Sequence, residues 1–551
     1  MPSTVDAQDR WAALGLGVYA AAVAAYLAHT VGPAGLIWDD GFYYLQIARN
    51  LAHGVGSTAD GLHPTNGYHP LWLLSLIPVF HLTTSTMQAL WVVVGLQAAG
   101  LAVSAALLYR LARHAASRWA SAVAVLAWVW LSYRLALSGL EYALYVTAVL
   151  GAGCCYAERV ARGAASDRTH LILGCLLAVA FLSRLDAALL AVTMAWAATR
   201  GYTAGALRTR RLMALLTPTL VAGLAYVAIN LWCFGAATPV SATVKRGWSE
   251  LALQQDPVYQ QAGWVVAKAV HLWWPLTHES LAVRLALVGG TWIIGALWLA
   301  RRRLHMDRRL DTLAPLVAYS GVSFGFYALV YHGMWSQSRW YYAVTPVLAA
   351  VLLAVSAEWG CEQVKRVGAA LGGAARQRAV RVASVAALLG LVVVPVKTLR
   401  DIRALGPDFG LALAPALVAI EALPPDAVLA SWNSGTLAFR SERTIVNLDG
   451  LVNSWQYQRE GRQDLCEYWR RTGVTHVVDF FDFTADPPIA PVLESYRSLY
   501  GYGRCREQLR LLWADEGLPP AERLALFAFD PGRGARRGGP RRVVPTYNSK
   551  S

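Results

Sequence analysis

The chain has 551 residues, of which 56% are apolar and 15% charged, and its formal net charge is +15. So little charge among so many long apolar runs excludes an ordinary soluble enzyme and points to a protein that crosses a bilayer repeatedly. In a soluble protein the surplus of Lys and Arg would suggest nucleic acid; here it lies in short loops between apolar runs, where it reports topology, and no nucleic-acid partner is expected.

In chain order, runs able to span fall near 11–31, 87–109, 119–134, 141–157, 170–184, 187–199, 212–232, 282–300, 311–331, 340–357 and 379–397. At roughly 20 residues per span they predict about eleven membrane helices, the shorter runs extending into flanking polar residues. The first run is long enough to span and has no clean small-residue cleavage site after it, so it reads as a membrane helix rather than a signal peptide. Alternate loops carry the positive charge, as in Arg110, Arg113 and Arg118, then Arg159, Arg162 and Arg168, then Arg208, Arg210 and Arg211. The loops around Asp39, Glu141, Asp186 and Arg339 are poor in it. By the positive-inside rule the N-terminus is cytoplasmic, and an odd number of helices delivers everything after residue 397 to the other side.

Two apolar stretches are too short to span, Leu71–Leu82 and Trp264–Leu276. They predict helices lying along the outer surface, with Trp72, Trp264, Trp273 and Trp274 at headgroup level. From Asp401 the composition changes to turns such as Pro424-Pro425 and short β-prone runs at Thr444–Leu448 and Val474–Phe480. The expected fold class is therefore a polytopic α-helical membrane protein with a small extracytoplasmic α/β domain. Its parts are a membrane module over 1–397 with an outer loop at 32–86, a soluble domain over 398–531, and a disordered basic tail over 532–551. Cys154, Cys155, Cys175, Cys233 and Cys361 lie in or near apolar segments and read as packing residues. Cys466 and Cys505 fall in the outer domain, where they either pair as a disulfide or remain two thiols.

The unusual polar residues converge on the outer side: Asp39, Asp40, His63, Asn66, His69, Glu141, Arg184, Asp186, Lys245 and Arg339. A carboxylate beside hydrocarbon costs several kcal/mol unless it is solvated, paired or used. Acids able to take a proton, beside cations able to hold an anion, suit a transferase whose donor leaves as a phosphate. Arg184 and Asp186 are two apart and would not face each other on a continuous helix, so separate partners are expected for them.

The run Asp39-Asp40-Gly41-Phe42-Tyr43-Tyr44, followed by Asn50-Leu51-Ala52-His53-Gly54 and Pro64-Thr65-Asn66-Gly67-Tyr68-His69-Pro70, resembles the first outer loop of GT-C glycosyltransferases. Ser138-Gly139-Leu140-Glu141, Ser183-Arg184-Leu185-Asp186, Phe234-Gly235 with Lys245, Arg339-Trp340-Tyr341-Tyr342 and Asn447-Leu448-Asp449-Gly450-Leu451 keep the order of that superfamily's landmarks. The chain looks most similar to the polytopic arabinofuranosyltransferases and mannosyltransferases of bacterial envelopes.

That resemblance implies a polyprenyl-phosphate sugar as donor and a glycan, lipid or protein acceptor at the outer face of the bacterial cytoplasmic membrane. It places the catalytic base at Asp39 or Asp40, with inversion at the anomeric carbon. Lys245, Arg339 and Arg184 would hold the donor phosphate, and Tyr44, His63, Asn66, His69, Glu141, Asp186 and Tyr341 would contact substrate. A divalent cation would use Asp40, His63 and His69, a set suited to Mn²⁺ or Zn²⁺ rather than Mg²⁺; otherwise the two imidazoles bond sugar or backbone. Trp432, Asn433, Asp449, Asn453 and Trp455 either floor an acceptor groove or, as we expect, form the small domain's own core and turns. The competing function is a transporter or flippase of lipid-linked sugars. Such proteins place charges at mid-bilayer on broken, repeated helices, whereas here the charges lie at one edge and no repeat is visible. A non-catalytic assembly factor would have a degraded acidic motif, and Asp39 and Asp40 are both present.

Overall fold

The computed structural model describes residues 7–161, 165–200, 205–255, 312–331, 341, 343–370, 413–461, 464–484, 488 and 505–531. The apolar runs become helices: α1 (Ala7–Val31), α2 (Pro33–Leu36), α3 (Asp39–Ala52), α4 (Pro70–Leu82), α5 (Thr86–Ala112), α6 (Arg118–Ala136) and α7 (Tyr142–Cys155). They continue as α8 (Asp167–Ser183), α9 (Ala188–Thr199), α10 (Ala206–Phe234), α11 (Val240–Gln255), α12 (Ala314–Val330) and α13 (Val344–Ala370). Among the described residues α1, α5, α6 and α10 are long and apolar enough to cross a membrane. The expected spans at 282–300 and 379–397, the surface helix at Trp264–Leu276 and the basic tail lie outside the described residues.

Local chemistry sets several of the boundaries. Ser85 and Ser166 cap α5 and α8 by accepting the N–H of Gln88 and Thr169, which satisfies donors that a helix start leaves without an intrahelical partner. Gly235 ends α10 in the left-handed conformation that costs glycine least. α10 is apolar nearly all round and exposes Leu220, Leu224 and Trp232, a surface suited to hydrocarbon rather than water. Trp72 departs from its expected place at the headgroups. It is 4% exposed, and its indole donates to the Gly139 carbonyl at 2.8 Å, because α4 packs inward against the helices rather than lying on them.

After residue 412 the chain forms helices α14 (Ala414–Glu421), α15 (Ser434–Ser441), α16 (Trp455–Glu460) and α17 (Leu465–Thr472) around a five-stranded sheet. Its strands β1 (Val428–Ser431), β2 (Ile445–Asn447), β3 (Val474–Phe481), β4 (Leu509–Ala514) and β5 (Arg523–Phe529) lie in the order β2-β1-β3-β5-β4. β1 runs parallel to β2 and β3, while β5 runs antiparallel to β3 and β4. Both faces of the sheet are buried, one packed with Trp432, Tyr457 and Trp469 and the other with Ile420 and Leu437. A disulfide joins Cys466 to Cys505, with the Cα atoms 5.2 Å apart.

The sheet region is seated on the helices through α15. Phe439 packs among Phe42 and Phe80 at ring distances of 5.5 and 6.1 Å, and so belongs to the core of the helical part. Arg49 lies 4.7 Å above the Phe439 ring and pairs with Glu442 at 3.1 Å.

Candidate active site

Both acids of the Asp39-Asp40 pair stand in the first turn of α3, at the positive end of its dipole. α3 can lie close to the turn at Ser138–Gly139 because position 41 is glycine; a Cβ there would come within 2.4 Å of the Ser138 carbonyl oxygen. The Trp38 N–H donates to that same carbonyl at 2.9 Å. Gln97 donates to the Leu140 carbonyl and accepts from the Gly139 N–H, so the turn leading to Glu141 is held from several directions.

The two aspartates then part. Asp39 accepts the N–H of Gly435 at 3.1 Å and of Thr436 at 2.7 Å, capping α15 from another part of the chain. Asp40 has no hydrogen-bond partner among the described residues. It lines a pocket of about 60 Å³ with Tyr43, Tyr44, His69, Glu141, Arg184, Lys245 and Tyr341. Burial pushes the Asp40 carboxyl up to about 6, partly offset by the Lys245 ammonium.

Arg184 is 2% exposed and its guanidinium is engaged on every side. It donates to Glu141 at 2.8 Å, to Asp186 at 3.1 Å and to the Tyr327 hydroxyl at 3.4 Å. Tyr327 in turn donates to Asp186 at 2.6 Å. The expectation of separate partners for Arg184 and Asp186 is therefore overturned. The spacing rule applies to a continuous helix, but α8 ends at Ser183, Arg184 is extended (φ −151°, ψ 120°), and a single tight turn at Leu185–Ala187 restarts the chain. Tyr44 donates to the other Glu141 oxygen at 3.1 Å. The His69 ring accepts the Leu185 N–H at Nδ1, leaving Nε2 3.8 Å from Glu141, and burial lowers its pKa to about 4, so it is neutral at pH 7.

Lys245 comes from α11 and lies 5.1 Å from the centre of the Tyr341 ring. Sequence reading missed Ser241, one turn earlier on the same helix, and Tyr43, which donates to Asp449 at 3.1 Å. It also missed Leu451 and Val452, which close the pocket from the sheet region. The Asn447-Leu448-Asp449-Gly450-Leu451 motif was the signal for Leu451 and, one residue further on, for Val452, although nothing in it tells which side chain turns inward.

Other expected substrate residues are placed elsewhere. Asn66 is 1% exposed and saturated: it donates to Asn230 and the Thr238 carbonyl and accepts from the Val240 N–H and the Trp455 indole. It therefore ties the outer loop to α10, α11 and α16 and has no bond left for a sugar. His63 donates or accepts at 2.6 Å with Asp60 and sits beside Tyr468, and it does not line the pocket. A cation held by Asp40, His63 and His69 does not fit this arrangement, because His63 is committed to Asp60 and the Lys245 ammonium already stands by Asp40. Among the described residues no cluster of three side chains able to hold a metal ion occurs. Arg339 lies outside the described residues. Of the aromatic and polar cluster near the sheet, Trp432 is buried and Asn433 and Asn453 bond Asp479 and the Asn447 carbonyl, as a domain's own core and turns do.

Solved structures share the fold that carries this arrangement. The chain is similar to an oligosaccharyltransferase of Archaeoglobus fulgidus, solved with a tethered acceptor peptide containing the NVT sequon, at 14% identity and a TM-score of 0.51 over 85% of this chain and 69% of that one. It is also similar to ArnT of Cupriavidus metallidurans bound to undecaprenyl phosphate, at 15% identity and a TM-score of 0.52 over 93% of this chain and 98% of that one. Both are GT-C fold glycosyltransferases, so the fold is the one to which the sequence motifs point. Residues 409–528 match a family model described as a domain of unknown function, DUF8728. No curated protein sequence matches the chain.

Proposed function

We propose that this protein is an inverting glycosyltransferase that moves a sugar from a polyprenyl-phosphate donor to a hydroxyl of an envelope glycan, lipid or protein at the outer face of a bacterial cytoplasmic membrane. The observation that carries this reading is a carboxylate, Asp40, that shares one pocket with the Lys245 ammonium and has no hydrogen-bond partner among the described residues. The shared fold with ArnT, solved with undecaprenyl phosphate, supports the lipid donor. The motif resemblance to arabinofuranosyl- and mannosyltransferases supports a pentose or hexose as the sugar.

In this reading the acceptor oxygen attacks the anomeric carbon from the face opposite the phosphate while Asp40 takes the hydroxyl proton. The bond from that carbon to the phosphate oxygen breaks, and its electron pair leaves with the polyprenyl phosphate. Lys245 offsets the charge that develops on the departing oxygen. Arg184, whose donors are already committed to Glu141, Asp186 and Tyr327, positions those acids rather than gripping the phosphate. Asp39 anchors α15 and is not the base. Purified enzyme incubated with a panel of polyprenyl-phosphate sugars tests the reading. Transfer by the wild type that is lost in Asp40→Asn supports it, and absence of turnover with every donor, or full activity in Asp40→Asn, overturns it.

A further inference from the structure

The loop after β2, residues 448–453, is fixed with unusual redundancy for a connection. Gly450 donates to the Asn447 side chain, Leu451 donates to the Asp449 carboxylate at 2.7 Å, and the Asn453 amide donates back to the Asn447 carbonyl. The Tyr457 hydroxyl holds the Leu448 carbonyl at 2.6 Å, and Gly450 takes φ +82°, which few other residues would accept. The loop lies directly against the outer loop of the helical part. A Cβ on Gly67 would sit 1.9 Å from the Leu451 carbonyl oxygen.

Of its three apolar residues, Leu448 belongs to the core of the sheet region, and Leu451 and Val452 line the pocket. Leu451 and Val452 are 9% and 4% exposed. Leu451 packs with Val244 and Trp248 of α11, on either side of the position of Lys245, and Val452 joins the main helical core. They offer no hydrogen bond to a substrate. As apolar lining of the pocket that also holds Asp40 and Lys245, they keep water from their side of it, which strengthens the interaction of both groups with a charged ligand. A donor activated at its anomeric carbon can be attacked by water as well as by an alcohol. With water as nucleophile the same bond to phosphate breaks and the proton again goes to the base, giving free sugar and polyprenyl phosphate.

Resting on the glycosyltransferase reading, we infer that Leu451 and Val452 are specificity-determining residues, which close the pocket from the sheet side and direct the sugar to an alcohol acceptor instead of to water. The test measures, for one polyprenyl-phosphate sugar, the ratio of free sugar released to sugar transferred. That ratio does not depend on how much of a preparation is folded. Leu451→Ala and Val452→Ala should each raise it several-fold, and Leu451→Met, which keeps the volume, should leave it near the wild-type value. If the wild type transfers sugar and both alanine variants keep its ratio, the inference is overturned while the glycosyltransferase reading stands. If the wild type turns over no donor, both fall.

Discussion

Asp40 loses most of its water at the start of α3 without gaining a hydrogen bond among the described residues, and burial therefore pushes its carboxyl from 3.8 to about 6. A base must be ionised to accept a proton, so transfer should rise with pH through about 6 and then level off. The sign for stability is the reverse. A carboxyl raised in the folded state favours folding when protonated, and that contribution is lost as pH climbs from 3.8 to about 6. A rate that falls over the same interval would contradict the assignment of the base. Asp40→Asn should lower kcat by roughly 10²–10⁴-fold. Lys245→Met, which keeps the stem but removes the charge, should raise KM for the donor by about tenfold or more, a loss of at least about 1.4 kcal/mol in binding. The two aspartates were indistinguishable in the sequence. Only the arrival of α15, nearly four hundred positions later, shows that one of them is occupied with Gly435 and Thr436.

The joint between α3 and α15 depends on a glycine. A Cβ at position 435 would come within 2.2 Å of the Asp39 carbonyl oxygen, so Gly435→Ala should loosen the sheet region from the helices. Faster protease cleavage around residues 413–461, with wild-type helix content, is the expected readout. Asn66→Ala strands the Val240 N–H and the Asn230 amide, each at a cost of about 1–3 kcal/mol, and should lower the thermal midpoint. The order of the helices was legible because burial against hydrocarbon selects apolar runs locally. The run read at 87–109 is helix Thr86–Ala112, and that at 212–232 is Ala206–Phe234. The strand runs were legible from short β-prone stretches bounded by turns, Thr444–Leu448 containing Ile445–Asn447. The Arg184–Asp186 pair was misread because the helix breaks at Ser183 and Arg184 is extended, and spacing alone carries no trace of that break or of the contacts Arg184 makes with Glu141 and Tyr327.

Across the whole molecule, the pocket belongs to neither part alone. The helical part brings Asp40, Glu141, Arg184 and Lys245, and the sheet part brings Leu451 and Val452. Composition pointed to apolar helices and to short strands, but their apposition depends on contacts between residues such as Gly67 and Leu451 that a linear reading cannot pair. The sheet part carries its own covalent tie, the Cys466–Cys505 disulfide. For a closure of 39 residues the chain-entropy model gives about 4 kcal/mol, so reduction should lower the melting temperature of this region while the helices persist. The most direct test of the central claim compares sugar transfer from a polyprenyl-phosphate donor by wild type, Asp39→Asn and Asp40→Asn in the same lipid environment. The account predicts near-complete loss in Asp40→Asn and retention within a few-fold in Asp39→Asn. Equal transfer by all three, or loss confined to Asp39→Asn, would contradict it.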